Sequence, residues 1–264
     1  MAHPETLFDD IKVTSSEIGI RKIGVDDLWR SLKQGYEDFN AKPSFGIFLC
    51  VVYPLFALLL TLFVVGENLH HLVFPMLAGL TLLGPVVSVG LCAMSRRRER
   101  GLELSWRAAF DFVHSPSFAP IAALSVVMTL LYAAWLFMAQ FIYTGLFGAH
   151  PPASFAAFAT EVATTRHGQA LIFYGLGVGA VFAFAALAIS VFAFPLLLDK
   201  PTTSITAVGA SIRGVTRNLA VMLLWGAIVV ASLAVSASLL LVGLCAVLPI
   251  LGHATWHLYR KVVQ

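Results

Sequence analysis

The chain has 264 residues, 59% of them hydrophobic and 12% charged, with a formal net charge of +3 and a mean hydropathy of +0.86. Soluble domains hold roughly 45–50% apolar residues, so this composition excludes a water-soluble globule and predicts an integral membrane protein solvated by the lipid bilayer. The modest positive charge forms no basic stripe on a soluble domain, which argues against a nucleic-acid partner.

In chain order, residues 1–43 are polar and mixed in charge, unlike a signal peptide, which starts basic and turns apolar at once. Residues 26–39 predict an amphipathic helix. Leu28, Leu32, Tyr36 and Phe39 recur at helical spacing, with Asp27, Lys33, Glu37 and Asp38 on the other face. Apolar segments follow at 45–65, 72–94, 118–146 and 170–198. Amphipathic stretches lie between them at 104–114 (Trp106 and Phe110 one turn apart) and at 155–162, and a further one lies at 204–218. The last places Ile205, Val208, Ile212 and Val215 opposite Arg213 and Arg217. The stretches at 26–39, 104–114 and 204–218 are expected to lie flat at the inner interface, while 155–162 falls in the external loop 147–168.

Residues 219–259 are 41 nearly uncharged positions, about 60 Å as one helix against a hydrocarbon core of about 30 Å. Two spans, 219–237 and 239–259, joined by a tight turn, fit that length. The hairpin also returns Arg260 and Lys261 to the side of the other basic residues. Six spans then leave only Arg166, of 17 lysines and arginines, on the outer side, and cytoplasmic loops are the ones that retain Lys and Arg. The expected fold is all-α: a cytoplasmic segment at 1–43, then a membrane domain at 44–264 of three in–out–in hairpins, with both termini cytoplasmic.

The hairpins echo one another. Trp29-Arg30 and Pro43-Ser44-Phe45 correspond to Trp106-Arg107 and Pro116-Ser117-Phe118, and Pro85 precedes Arg96 by the same interval as Pro249 precedes Arg260. Duplication of a hairpin explains this, and so does the common way in which any in–out–in hairpin ends.

No Asp, Glu, Lys or Arg occupies the centre of a predicted span, which argues against ion-coupled transport. His253 and His257 are one helical turn apart with Arg260 following. They form a candidate contact for a lipid head group or a polar partner segment, although polar residues at a span end also reach the interface for no further purpose. Two imidazoles leave a metal shell incomplete, so no stoichiometric haem, copper or zinc is expected. Replacing His253 is expected to cost more than replacing His257, because it lies deeper. Arg96, Arg97, Arg98, Arg100 and Arg107 are a candidate anionic-lipid contact, or a plain topology determinant. Gly175, Gly179 and Ala183 form a small-residue face for helix packing, within the chain or between copies. Pro54, Pro85 and Pro249 interrupt spans, and kinks there either line a cavity or are tolerated without function. His70 and His71 read as loop residues. Cys50, Cys92 and Cys245 lie in apolar segments and suggest neither a disulfide framework nor a metal site. Gly-rich phosphate loops, GxSxG and HExxH are missing from the sequence, so no catalytic residue and no enzymatic activity are expected.

Four motifs carry a resemblance: Asp27-Leu28-Trp29 with Gly35-Tyr36-Glu37-Asp38-Phe39, Ser95-Arg96-Arg97-Arg98-Glu99-Arg100-Gly101, Phe194-Pro195-Leu196-Leu197-Leu198-Asp199, and Gly252-His253-Ala254-Thr255-Trp256-His257-Leu258-Tyr259-Arg260. Across residues 18–263 the chain resembles an uncharacterised bacterial family of predicted integral membrane proteins, sometimes loosely labelled cytochrome c oxidase subunit I-like. The resemblance implies a bacterial inner-membrane location and a six-span fold, with no established activity. The oxidase label does not fit these residues. A haem–copper subunit draws its many histidine ligands from within its spans, and here only His253 lies well inside one. The sequence points first to a non-enzymatic accessory, scaffold or assembly subunit of a larger membrane complex, respiratory or similar. The alternative is a permease or membrane-remodelling factor for a neutral or lipidic substrate.

Overall fold

The computed structural model describes residues 18–66, 69–105, 108–148, 152, 154–238 and 243–264, with the backbone alone at 44–54, 108 and 237–238. They form nine helices: α1 Val25–Ala41, α2 Pro43–Gly66, α3 His70–Glu99 (with 3-10 turns at His70–Leu72 and Leu80–Leu83), α4 Phe118–Phe147, α5 Phe155–Thr164, α6 Arg166–Asp199 (interrupted at 191–192), α7 Ser204–Arg217, α8 Leu219–Ser238 and α9 Leu244–Val262. A 3-10 segment, Ala108–His114, precedes α4. Among the described residues the sole β feature is an antiparallel bridge between Ile20 and Val263.

Four of these helices are long and apolar enough to cross a membrane: α3, α4, α6, and α8 through Ser236. At 30 residues, α3 and α4 are each about 45 Å long, more than a bilayer core requires. The expected first span falls within α2, apolar from Leu55 to Gly66. The expected sixth falls on α9, a helix with a largely buried C-terminal half (His253, Ala254, Trp256, Leu258, Tyr259 and Val262).

The chain divides into two compact units, with boundaries inside α2, α3, α4 and α6. The first contains residues 1–50, 85–125 and 187–264. Within it α1 runs antiparallel along α9, with Gln34 taking a hydrogen bond from Lys261 and Gly35 against Ile250 and Ala254. A β-carbon at Gly35 would stand 2.6 Å from the Ile250 carbonyl oxygen and the Ala254 nitrogen, so only glycine permits this approach. Rather than lying alone at the interface, α1 is docked on another helix.

Its buried face also differs from the expected one. Leu28, Ser31, Gly35 and Asp38 are buried, whereas Trp29 and Tyr36 are exposed. The same rotation occurs in α7, which buries Ala207, Ala210, Ser211, Gly214 and Val215 and leaves Ile205 85% exposed. Small residues let helix backbones meet, and large apolar side chains lose little by facing lipid. Leu28 and Val215 lie on both the apolar and the buried face, and the buried face is rotated from there toward the small residues.

The C-terminal end of α3 is closed by Gly101, whose φ of +67° is a conformation that L side chains rarely adopt. Gly101 N–H donates to the Arg98 carbonyl at 3.0 Å and Leu102 N–H to that of Arg97 at 2.9 Å, the Schellman pattern.

The second unit contains residues 51–84 and 126–186. Val64, Val73 and Met76 form a small core backed by Leu60, Tyr132 and Leu136. Trp135 donates from Nε1 to the Pro75 carbonyl at 2.7 Å. Of the proposed small-residue face, only Gly179 meets a helix of this unit: its β-carbon position lies 3.2 Å from the Trp135 ring, while Gly175 has nothing within 4 Å and Ala183 is exposed. Within this chain the contact is made at Gly179 alone of the three. One glycine receives one large ring.

Candidate functional site

The first unit holds a buried polar cluster where α1, α3 and α9 meet. Asp38 is 6% exposed and takes three side-chain donors. Ser95 Oγ donates to Oδ2 at 2.5 Å, His257 Nε2 to the same oxygen at 2.8 Å, and the Arg98 guanidinium to Oδ1. An ionised carboxylate only accepts, so both the serine proton and the His257 Nε2 proton point at Asp38. Ser95 has then spent its one proton, and its 2.8 Å contact with His253 Nδ1 is a hydrogen bond donated by the imidazole. The chain of bonds runs His253 to Ser95 to Asp38, with His257 and Arg98 arriving from the other side.

Burial alone would raise the Asp38 carboxyl. The hydrogen bonds from His257, Ser95 and Arg98, with the charge of His257, outweigh it and hold the group at about 2. A cavity of about 10 Å³ bordered by Asp38, Lys42, Arg98 and His253 is about the size of one water. Lys42 Nζ donates away from the carboxylate, to the Leu104 carbonyl at 2.8 Å.

The bond directions limit the chemistry. An activated serine gives its proton to an imidazole lone pair; here the imidazole gives its proton to the serine. The arrangement clamps three helices.

A second cluster gathers around Asp199 and Glu99. Tyr259 Oη donates to Asp199 Oδ2 at 3.0 Å, and Arg260 reaches the same oxygen at 3.4 Å. Arg100 lies 3.5 Å from Oδ1 and Arg96 4.0 Å from it. Glu99 accepts from Trp256 Nε1 and from Arg260 Nε, each at 3.0 Å.

These contacts show what the candidate residues face within the chain. His253, His257 and Arg260 do not share one site, since the histidines turn to Ser95 and Asp38 and Arg260 turns to Glu99 and Asp199. The arginine cluster is not a row of free cations either: Arg98 is taken by Asp38 and Arg97 by Asp111 at 3.1 Å. Arg107 lies outside the described residues. Among the described residues no group of three or more His, Cys, Asp or Glu is placed to hold a metal.

The sequence reading missed Asp38, Ser95, Glu99 and Asp199 as partners. The available signal was the stripe Leu28, Ser31, Gly35, Asp38, in which two small residues at helical spacing lead to an acid. His71, expected in a loop, starts α3. It is buried, its Nε2 meets Gln140 Oε1 at 2.6 Å, and its ring stacks on Tyr143 at 3.8 Å.

No curated protein and no solved structure matches the chain. Residues 73–199, just under half of the chain and including the motifs at 95–101 and 194–199, match the family described as predicted integral membrane protein (DUF2189), a domain of unknown function, as the sequence resemblance implies.

Proposed function

We propose that this protein is a non-enzymatic accessory, scaffold or assembly subunit of a larger complex in the bacterial inner membrane. It crosses six times, on α2, α3, α4, α6, α8 and α9, with both termini cytoplasmic. The observation that carries the reading is the saturation of Asp38, Asp199 and Glu99 by donors of the same chain. Groups that in an enzyme or ion carrier would face a substrate are here spent on holding helices together. The exposed large apolar residues of α4 and α6, such as Phe137, Phe141, Phe173 and Val181, suit lipid or a partner helix. For the topology, the support is the gathering of basic residues on one side of six spans. Nineteen residues in α9 correspond to about 28 Å, close to a bilayer core.

Purification in mild detergent with cross-linking tests the role, and a stoichiometric membrane partner is expected to be retained. A monodisperse, partner-free protein carrying bound lipid would overturn it and favour a permease or remodelling factor. A periplasm-dependent reporter fused at Gln264 is expected to stay silent, and one inserted at Phe155 to be active.

A further inference from the structure

We propose that the first unit contains a binding site for a phosphodiester, the charged group of an anionic phospholipid, in the cavity beside the inner ends of α3 and α6. The proposal goes beyond the accessory role and does not depend on it. The cavity measures about 220 Å³, and its lining includes Arg96, Arg97, Arg100, Asp111, Ser115 and Ser117.

Charge is out of balance there. Arg96, Arg97, Arg100 and Arg260 face three carboxylates, Asp111, Asp199 and Glu99, through the ion pairs of this region. Asp199 is shared among Arg96, Arg100 and Arg260. Arg96 has the weakest claim on a carboxylate: its Nη1 donates to the Leu198 carbonyl, its buried Nε lacks a hydrogen-bond partner, and its nearest carboxylate oxygen is 4.0 Å away. Four guanidinium groups against three carboxylates leave one positive charge, and a phosphodiester carries one negative charge. Guanidinium groups suit phosphate because their planar forks can bond two oxygens at once.

The rest of the lining fits an amphiphile. Ser117 supplies a hydroxyl where α4 begins, while Ser115 Oγ is held by donating to the Phe112 carbonyl at 2.7 Å, and an incoming anion there also meets the positive end of that helix. Leu102, Phe112 and Leu198 supply an apolar wall for the glycerol and upper acyl chain. Arg98, adjacent in sequence, is turned to Asp38 and takes no part.

Native mass spectrometry of the full chain, offered phosphatidylglycerol or phosphatidylcholine, tests the site. The expected result is one phosphatidylglycerol retained about tenfold more tightly than phosphatidylcholine, the ratio that one strong charged contact of about 1.4 kcal/mol supplies. Arg97→Gln is expected to weaken phosphatidylglycerol severalfold and Asp111→Asn to strengthen it. Both side chains are partly exposed, so both variants are expected to fold. Displacement by millimolar inorganic phosphate would identify the site as one for phosphate at large. Its persistence in phosphate would identify the lipid. Equal retention of the two lipids, unchanged by either variant, would overturn the proposal.

Discussion

The two units solve opposite problems. In the first, polar and charged side chains are buried and must find one another: Asp38, Ser95, His253 and Asn218 are each at most 6% exposed, and each is hydrogen-bonded. In the second, the large side chains point outward, with Phe137 at 77% and Phe173 at 74% exposed, and helices meet through rings set on small residues, as Trp135 is on Gly179. Specificity in the first comes from groups that have one acceptable partner, because an unpaired buried donor or acceptor costs about 1–3 kcal/mol. Lipid accepts almost any apolar face, so the second unit is tolerant where the first is exacting.

Substitutions should separate the two. The largest effect is expected from Asp38→Asn, which strips the charge from the point where three donors converge. Breaking a buried ion pair costs about 3–5 kcal/mol, and the partial exposure of Arg98 places this one near about 3 kcal/mol. Thermal unfolding in detergent measures it, and a loss below that of a surface substitution would show that the clamp holds nothing.

Next comes Gly35→Ala. Its β-carbon meets backbone atoms that cannot swing aside, and overpacking of this kind costs about 1–3 kcal/mol. The readout is loss of the Lys42–Leu104 and Lys261–Gln34 contacts together with a lower Tm.

Acid should act in the same place. Asp38 has its folded value lowered from 3.8 to about 2, so its contribution is complete above pH 4 and is lost as pH falls through 2. That contribution is about 2 kcal/mol. Subtracting the acid response of Asp38→Asn from that of the wild-type chain isolates it, and identical curves would refute the assignment.

A finer division lies between the histidines. His253→Ala is expected to cost about 2 kcal/mol and His257→Ala about 1 kcal/mol, because truncation in a drier place leaves a void as well as a lost bond. His257 has a side chain 14% exposed, where water can replace the imidazole; equal losses would contradict this. The smallest effect is expected in the second unit: Gly175→Ala, with open space around it, should stay within about 0.5 kcal/mol.

The existence of the helices and the apolar stretches of α3, α4, α6 and α8 were readable in the sequence, since a run of about 20 apolar residues matches the thickness of a bilayer core. The i, i+4 pairing of His253 and His257 was readable too. What they face was not, because Asp38 stands 219 positions from His257 and no local period connects them. The faces of α1 and α7 were read only in part, at Leu28 and Val215, for a different reason. Ser31, Gly35 and Ser211 are inconspicuous on a hydropathy scale, yet smallness is what brings them to the inside. Arg96 to Arg100 read as a topological signal, and the carboxylates that take up most of them come from α1, the 3-10 segment and the end of α6.

The pairing of α1 with α9 has a consequence in time. Beside the bridge at Ile20, Arg21 N–H donates to the Val262 carbonyl at 2.8 Å and Gln264 N–H to that of Gly19 at 2.9 Å, so the ribosome must deliver more than 200 further residues before α1 finds its seat. At about 5–20 residues per second this takes roughly 10–40 s. Throughout that interval Asp38 sits on a nascent chain without His253 or His257, and a chain stalled before α9 carries a carboxylate answered only by Ser95 and Arg98 of α3.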